Sequence, residues 1–188
     1  VKIDQQNKVV KTATQKLGYD YLIISLGAEL APQRIKGFQY APNAYNLYDA
    51  ESVAKLHSVL QSFKSGKIVL LMASVPFKCP AAPYEAAFLL HDYFSTKGFR
   101  NKIDLAVITP ETQPMPVAGK VVGEKVAALL RQHGIRYLPN KKLVEIDGEL
   151  KFGDRSTEQF DLLIVVPPHR VPTALIYSGF ASEDGWVA

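Results

Sequence analysis

The run Lys67-Ile68-Val69-Leu70-Leu71-Met72 has the length and β-branched content of a buried strand. It passes through Val75-Pro76-Phe77-Lys78-Cys79-Pro80-Ala81-Ala82-Pro83-Tyr84-Glu85 into an amphipathic segment that reaches about residue 96. A buried strand feeding a helix through a tight loop belongs to an open α/β sheet, and such sheets bind ligands at the carboxyl ends of their strands. The pattern then repeats. Ile103-Asp104-Leu105-Ala106-Val107-Ile108 leads through Thr109-Pro110 to a helix at about 119–132, with Val122, Val126, Leu129 and Leu130 as its apolar face and Gly134 as its stop. A third strand is expected at Arg136-Tyr137-Leu138. Short strands at about 142–147, 149–153 and 156–160 read as an antiparallel meander, before a last buried strand at 161–166. Upstream, Asp49 is placed to cap a helix whose stripe is Val53, Leu56, Leu60 and Phe63, with His57 off the stripe and facing solvent. This alternation over residues 46–166 predicts a Rossmann-like parallel sheet with helices on both faces and an antiparallel meander as an appendix.

The loop after the first buried run decides the chemistry. Nucleotide-binding loops at this position are usually glycine-rich, so that backbone N–H groups can approach a pyrophosphate. No glycine stands between Val75 and Glu85; instead there are three prolines, which lack the N–H, and the only cysteine of the chain. Pro83 suits a first helical turn. Cys79 then lies just before a helix N-terminus and beside Lys78, and both favour the thiolate. The competing role is that of a small apolar core residue, for which a proline-walled loop is a poor setting. Glu111 stands roughly where a ribose-binding acid would, although Pro110-Glu111-Thr112 reads equally as a solvated loop. Without the glycine turn, nicotinamide binding is disfavoured.

Composition narrows the class. The chain has 188 residues, 47% of them hydrophobic, and a net charge of +4 without a long basic run, so nucleic acid is not indicated. No apolar stretch approaches the roughly 20 residues of a membrane span. One cysteine excludes an internal disulfide framework and leaves the compartment open. Residues 1–17 alternate weakly around Asn7 and Lys8, as in a short hairpin, and Tyr21-Leu22-Ile23-Ile24-Ser25-Leu26 reads as a strand covered on both faces, ended by Gly27. Residues 29–46, rich in proline, asparagine and glutamine, read as a connection.

Pro76-Phe77-Lys78-Cys79-Pro80-Ala81-Ala82-Pro83-Tyr84-Glu85 resembles the cysteine loop of one branch of the FAD-dependent pyridine nucleotide-disulfide oxidoreductases: the sulfide:quinone oxidoreductases and flavocytochrome c sulfide dehydrogenases. Tyr19-Asp20-Tyr21-Leu22-Ile23-Ile24-Ser25-Leu26-Gly27-Ala28 and Phe160-Asp161-Leu162-Leu163-Ile164-Val165-Val166-Pro167-Pro168 are similar to motifs of the wider superfamily. The resemblance spans nearly the whole chain. It implies the middle of a longer flavoprotein, with residues 1–45 a remnant of an FAD-binding lobe and its connection, and 167–188 the return to that lobe. The chain starts at Val1 without methionine and ends in Gly185-Trp186-Val187-Ala188, which reads as the beginning of a strand.

The resemblance further implies that Cys79 pairs with a second cysteine outside this sequence and takes electrons from sulfide or a small sulfur nucleophile, for transfer through FAD to a quinone or cytochrome. Glu85 supports the loop, shuttles protons, or is an exposed first-turn residue. His169 offers a proton and Arg170 an anion site, unless Pro167-Pro168-His169-Arg170-Val171-Pro172 is only a stiff hinge. Cofactor contacts are implied for Ser25, Gly27, Ala28, Lys78 and Pro80, with a simple turn as the competing role of Gly27; no metal is implied. A cytoplasmic or peripheral-membrane setting and association between chains are expected, with any membrane attachment lying outside this sequence. The alternatives are an NAD(P)H-dependent reductase such as a type II NADH dehydrogenase, and a non-catalytic binding module.

Overall fold

In the computed structural model, which describes residues 1–182 and 185–187, the chain forms two units, Val1–Ala31 with His169–Ala188 and Pro32–Pro168. The first unit opens with the antiparallel strands β1 (Lys2–Asp4), β2 (Val9–Lys11) and β3 (Lys16–Gly18). The β1–β2 turn forms where the sequence places it: the Asp4 carboxylate accepts from the Asn7 backbone N–H at 3.1 Å and from Lys11 Nζ at 3.0 Å. β4 (Glu29–Leu30) follows. The run at 21–26 is corrected. It has no regular secondary structure and pairs with no strand among the described residues; Leu22 and Ile24 pack with Ile3, Val171 and Leu175, whereas Tyr21 and Ile23 are 95% and 91% exposed. A strand is covered on both faces only inside a sheet, and here the run meets one apolar layer and no ladder.

The second unit carries β5 (Ala44–Asn46), α1 (Ala50–Ser62), β6 (Gly66–Met72), α2 (Ala82–Thr96), β7 (Ile103–Ile108), α3 (Lys120–Gln132) and β8 (Arg136–Leu138). The meander β9 (Leu143–Ile146), β10 (Leu150–Phe152) and β11 (Thr157–Glu158) then leads to β12 (Leu162–Val166). The chain re-enters the first unit as β13 (His169–Arg170), antiparallel to β4, and α4 (Thr173–Tyr177).

All pairings in the five-stranded sheet are parallel, in the order β5-β12-β6-β7-β8. β5 was hidden in the supposed connection, because three residues are too few to show a period. The alternation of side chains then assigns the faces. Ile68, Leu70, Met72, Leu105, Val107, Leu162 and Ile164 meet Leu56 of α1, Ala87, Leu90 and Phe94 of α2 and Leu130 of α3. Val69, Leu71, Ala106, Ile108, Leu163 and Val165 meet Ile146, Leu150 and Phe152 of the meander, with Ile35.

The parallel α/β architecture therefore stands, but the expectation of helices on both faces is corrected: α1, α2 and α3 share one face and the meander covers the other. Handedness supplies the reason. The crossovers through α1, α2 and α3 all step in one direction along the sheet. A right-handed crossover keeps such helices on one side and sends the return from β8 to β12 to the opposite side. The meander is that return. It is tied down at Gly37, where Ile146 N donates to Lys36 O at 2.9 Å. Gly37 has φ +88°, and a Cβ there would stand 1.8 Å from Ile146 O. At the amino-terminal ends of β6, β7 and β8, Arg136 bridges Asp104 and Glu158 at 2.8 Å each, and Lys67 joins Glu158 at 2.8 Å.

Candidate active site

β6 delivers the cysteine loop. Ala73 N still donates to Val166 O of β12 at 3.0 Å, and beyond it the chain leaves the sheet at its carboxyl edge. Cys79 is exposed, in no disulfide, and holds φ +54°. Its carbonyl accepts from Ala82 N at 3.1 Å, and Ala81 O accepts from Tyr84 N and Glu85 N at 3.0 Å, so the loop closes directly into α2 with Pro83 in the first turn. Lys78 and Glu85 are exposed and Pro80 is partly buried. Glu85 stands in the first turn of α2, where a negative charge is favourable. Thus Lys78, Cys79, Pro80 and Glu85 share one loop-to-helix junction, as the sequence reading placed them.

Side chains on either side hold that junction, and sequence reasoning missed both connections. Tyr48, in the loop after β5, donates its hydroxyl to Lys78 O at 2.6 Å and lies 3.3 Å from Cys79 O. Burial pushes its phenol up to about 12, and the nearby Cys79 adds to the effect. Within α2, Tyr84 is 2% exposed and donates to Glu111 Oε2 at 3.0 Å. Glu111 N in turn donates to Thr109 Oγ1 at 3.1 Å. Burial pushes the Glu111 carboxyl up, outweighing the hydrogen bonds from Tyr84 and Thr109 that favour its charged form. Tyr84 is raised strongly by burial and then by the charge of Glu111, which keeps it a donor. Glu111 is therefore turned inward and engaged, rather than a solvated loop residue.

The first unit holds the remaining sequence candidates. Ser25 and Gly27 are exposed and Ala28 is partly buried. Gly27 has φ +66°, and a Cβ added to it would meet nothing within 4 Å. Beside it Ser25, Leu26, Pro172, Leu175 and Trp186 help line a hollow of about 230 Å³. Among the described residues this backbone has no strand partner, so its N–H and C=O groups next to the hollow are open to a ligand. His169 is 7% exposed on β13. Arg170 Nη2 donates to Glu29 Oε2 at 2.7 Å, while Thr173 gives Glu29 its backbone N–H at 3.0 Å and its hydroxyl at 2.9 Å. These bonds, the Thr173 backbone one foremost, hold Glu29 below the usual carboxylate range. The anion at Arg170 is thus one of the chain's own.

A cysteine presented at a strand's carboxyl end by a glycine-free loop, in a parallel sheet with a meander crossover, can be compared with known proteins. No protein-family model matches the chain. The mitochondrial sulfide:quinone oxidoreductase of Mus musculus is 28% identical over 193 residues, covering 97% of this chain and 43% of the relative. That of Schizosaccharomyces pombe is 28% identical, covering 98% of this chain and again 43% of the relative. The chain is related to the sulfide:quinone oxidoreductases. It spans less than half the length of these curated relatives. Among solved structures, the sulfide:quinone oxidoreductase from Aquifex aeolicus superposes with a TM-score of 0.78 at 22% identity, covering 98% of this chain and 45% of that one. An NAD-dependent persulfide reductase from A. fulgidus superposes with a TM-score of 0.62 at 20% identity, covering 95% of this chain and 32% of that one. At these identities the superpositions bear on the fold alone.

Proposed function

We propose that this chain is the cysteine-bearing part of a flavoprotein that oxidises sulfide, or a related small sulfur nucleophile, and passes the electrons to a quinone or a cytochrome. The observation that carries the proposal is Cys79, exposed at the carboxyl end of β6 in a chain related to sulfide:quinone oxidoreductases. In this reading Cys79 forms a disulfide with a cysteine outside this sequence. Hydrosulfide attacks that disulfide: the S–S bond breaks, a new S–S bond makes a cysteine persulfide, and the displaced sulfur leaves as a thiolate. In this reading Glu85, exposed in the first turn of α2, takes the proton. Ser25, Gly27 and Ala28 in the first unit, and separately Lys78 and Pro80 in the second, are the residues we propose as cofactor contacts. FAD, when bound, supplies the two-electron acceptor. We assign His169 no step, because its ring is buried.

Nicotinamide binding is not part of this reading. The loop after β6 has no glycine and the carboxylate of Glu111 is occupied by Tyr84. No helix among the described residues is long and apolar enough to cross a membrane. The test is Cys79→Ser in the full flavoprotein. Sulfide-dependent reduction of a soluble quinone analogue should fall at least about a hundredfold, while flavin absorbance per protein stays unchanged. Full activity in that variant removes Cys79 from the mechanism.

A further inference from the structure

Tyr48 lies at the carboxyl edge of the sheet, one residue after Leu47, whose N–H donates to Val165 O of β12 at 2.8 Å. From there its hydroxyl reaches past the end of β12 to the loop after β6, donating to Lys78 O at 2.6 Å and lying 3.3 Å from Cys79 O. The Lys78 ammonium sits 5.5 Å from the centroid of the same ring. One side chain thus grips residue 78 by both its backbone and its charge, and the next residue is Cys79. The φ of +54° at Cys79 is a left-handed conformation that a residue with a Cβ keeps only when its surroundings fix it. With its phenol pushed up to about 12 by burial and by Cys79, Tyr48 remains a donor at neutral pH.

We propose that Tyr48 is a positioning residue that fixes Lys78 beside Cys79 and thereby gives the thiol a preference for anionic sulfur partners. The inference rests on the reading of Cys79 as the reacting sulfur and deepens it. An exposed lysine otherwise samples many rotamers and spreads its charge over a wide volume. A cation held over an aromatic face is held directionally, and hydrosulfide, polysulfides and sulfite are all anions.

Thiol–disulfide exchange on the purified chain tests this, using dianionic dithiobis(nitrobenzoate) and neutral dithiodipyridine. In each reaction the Cys79 thiolate attacks a probe sulfur, the probe's S–S bond breaks, a mixed disulfide forms, and an aromatic thiolate leaves with the electron pair. The readout is the ratio of the two rates. In the wild type that ratio should fall about fivefold from low to half-molar salt, the effect of one unit charge on a dianion across roughly 8 Å of water. Tyr48→Leu, and Tyr48→Met as a second variant of similar reach without a π face, should start at the high-salt ratio, as should Lys78→Gln. Tyr48→Phe should keep most of the preference, with both rates shifting together as the carbonyls of 78 and 79 lose their donor. General loosening of the loop moves both rates and leaves the ratio alone. A wild-type ratio indifferent to salt, or an unchanged ratio in the Leu and Met variants, overturns the inference while leaving Cys79 reactive. If neither probe reacts faster than with a free cysteine peptide, the reading of Cys79 fails, and the inference with it.

Discussion

Tyr84→Phe removes one oxygen from a side chain that is 2% exposed, and with it the interaction of that hydroxyl with Tyr137, which is present in either Glu111 background. The lost bond is the donation to Glu111 Oε2 at 3.0 Å. Among the described residues the Glu111 carboxylate then keeps only Thr109 Oγ1, at 3.5 Å, which is a weak contact. A hydrogen bond to a charged group is worth about 1.5–3 kcal/mol; with Glu111 half-buried, about 2 kcal/mol is expected at pH 7. For a chain of this size that corresponds to a drop of about 4–8 °C in Tm. The pH dependence has a definite sign. Burial raises the Glu111 carboxyl above its ordinary 4.5, so the wild type loses some stability as pH rises through the folded value and the carboxyl ionises. The ionised carboxylate is the form that needs the Tyr84 donor, so the penalty of Tyr84→Phe should shrink as pH falls through that value. In a Glu111→Gln background the same substitution should cost about 1 kcal/mol, that of a neutral hydrogen bond. Urea unfolding of wild type, both single variants and the double variant gives the cycle. An equal cost of Tyr84→Phe in both backgrounds, independent of pH, would refute the pairing and leave Tyr84 as a packing residue.

Gly37→Ala should destabilise the second unit by about 3 kcal/mol or more, since its Cβ would meet Ile146 O at 1.8 Å with φ at +88°; a neutral result in chemical denaturation would mean the meander can move away. Burial pushes Glu158 up, but hydrogen bonds from Arg136 and Lys67 outweigh it and hold the group below 4.5. That contribution is present above about pH 4.5 and lost as pH falls through the folded value. Arg136→Met should therefore cost about 1–2 kcal/mol at pH 7 and flatten the acid limb of the stability curve. Calorimetry should show no saturable micromolar NADH binding, and such binding would restore a nucleotide role to the proline loop.

Interior strands were the most legible part of the chain. β6, β7 and β12 are apolar on both faces, so their runs carry no period and read as buried whichever way they turn. Caps were legible too: Asp49 Oδ2 accepts from Ser52 N at 2.8 Å, and α3 gives way at Gly134. The edge strand β5 was not, because Ala44-Tyr45-Asn46 owes its place to β12, some 120 residues downstream, rather than to any local preference. Tyr21–Leu26 has the same apolar signature as β6 without a neighbouring strand, and composition alone does not distinguish the two. The cysteine loop was readable through its residue types and its position after a strand. What holds it was not, since the contacts of Tyr48 with residue 78 and of Tyr84 with Glu111 span 30 and 27 positions.

The position of β12 has a consequence for how this unit can be made. The last strand of the unit to be synthesised is inserted between two of the earliest, β5 and β6, with every residue buried. On a ribosome, β6, β7 and β8 can pair as they emerge, but β5 has no place to bind until residues 162–166 arrive. Until then the growing chain presents β6 as an open, apolar edge, the kind of surface that recruits other strands. The entropy of closing so long a loop falls on this single late event. A translation pause just before residue 162 should prolong that exposure, and chaperone demand should peak there rather than at the chain's midpoint.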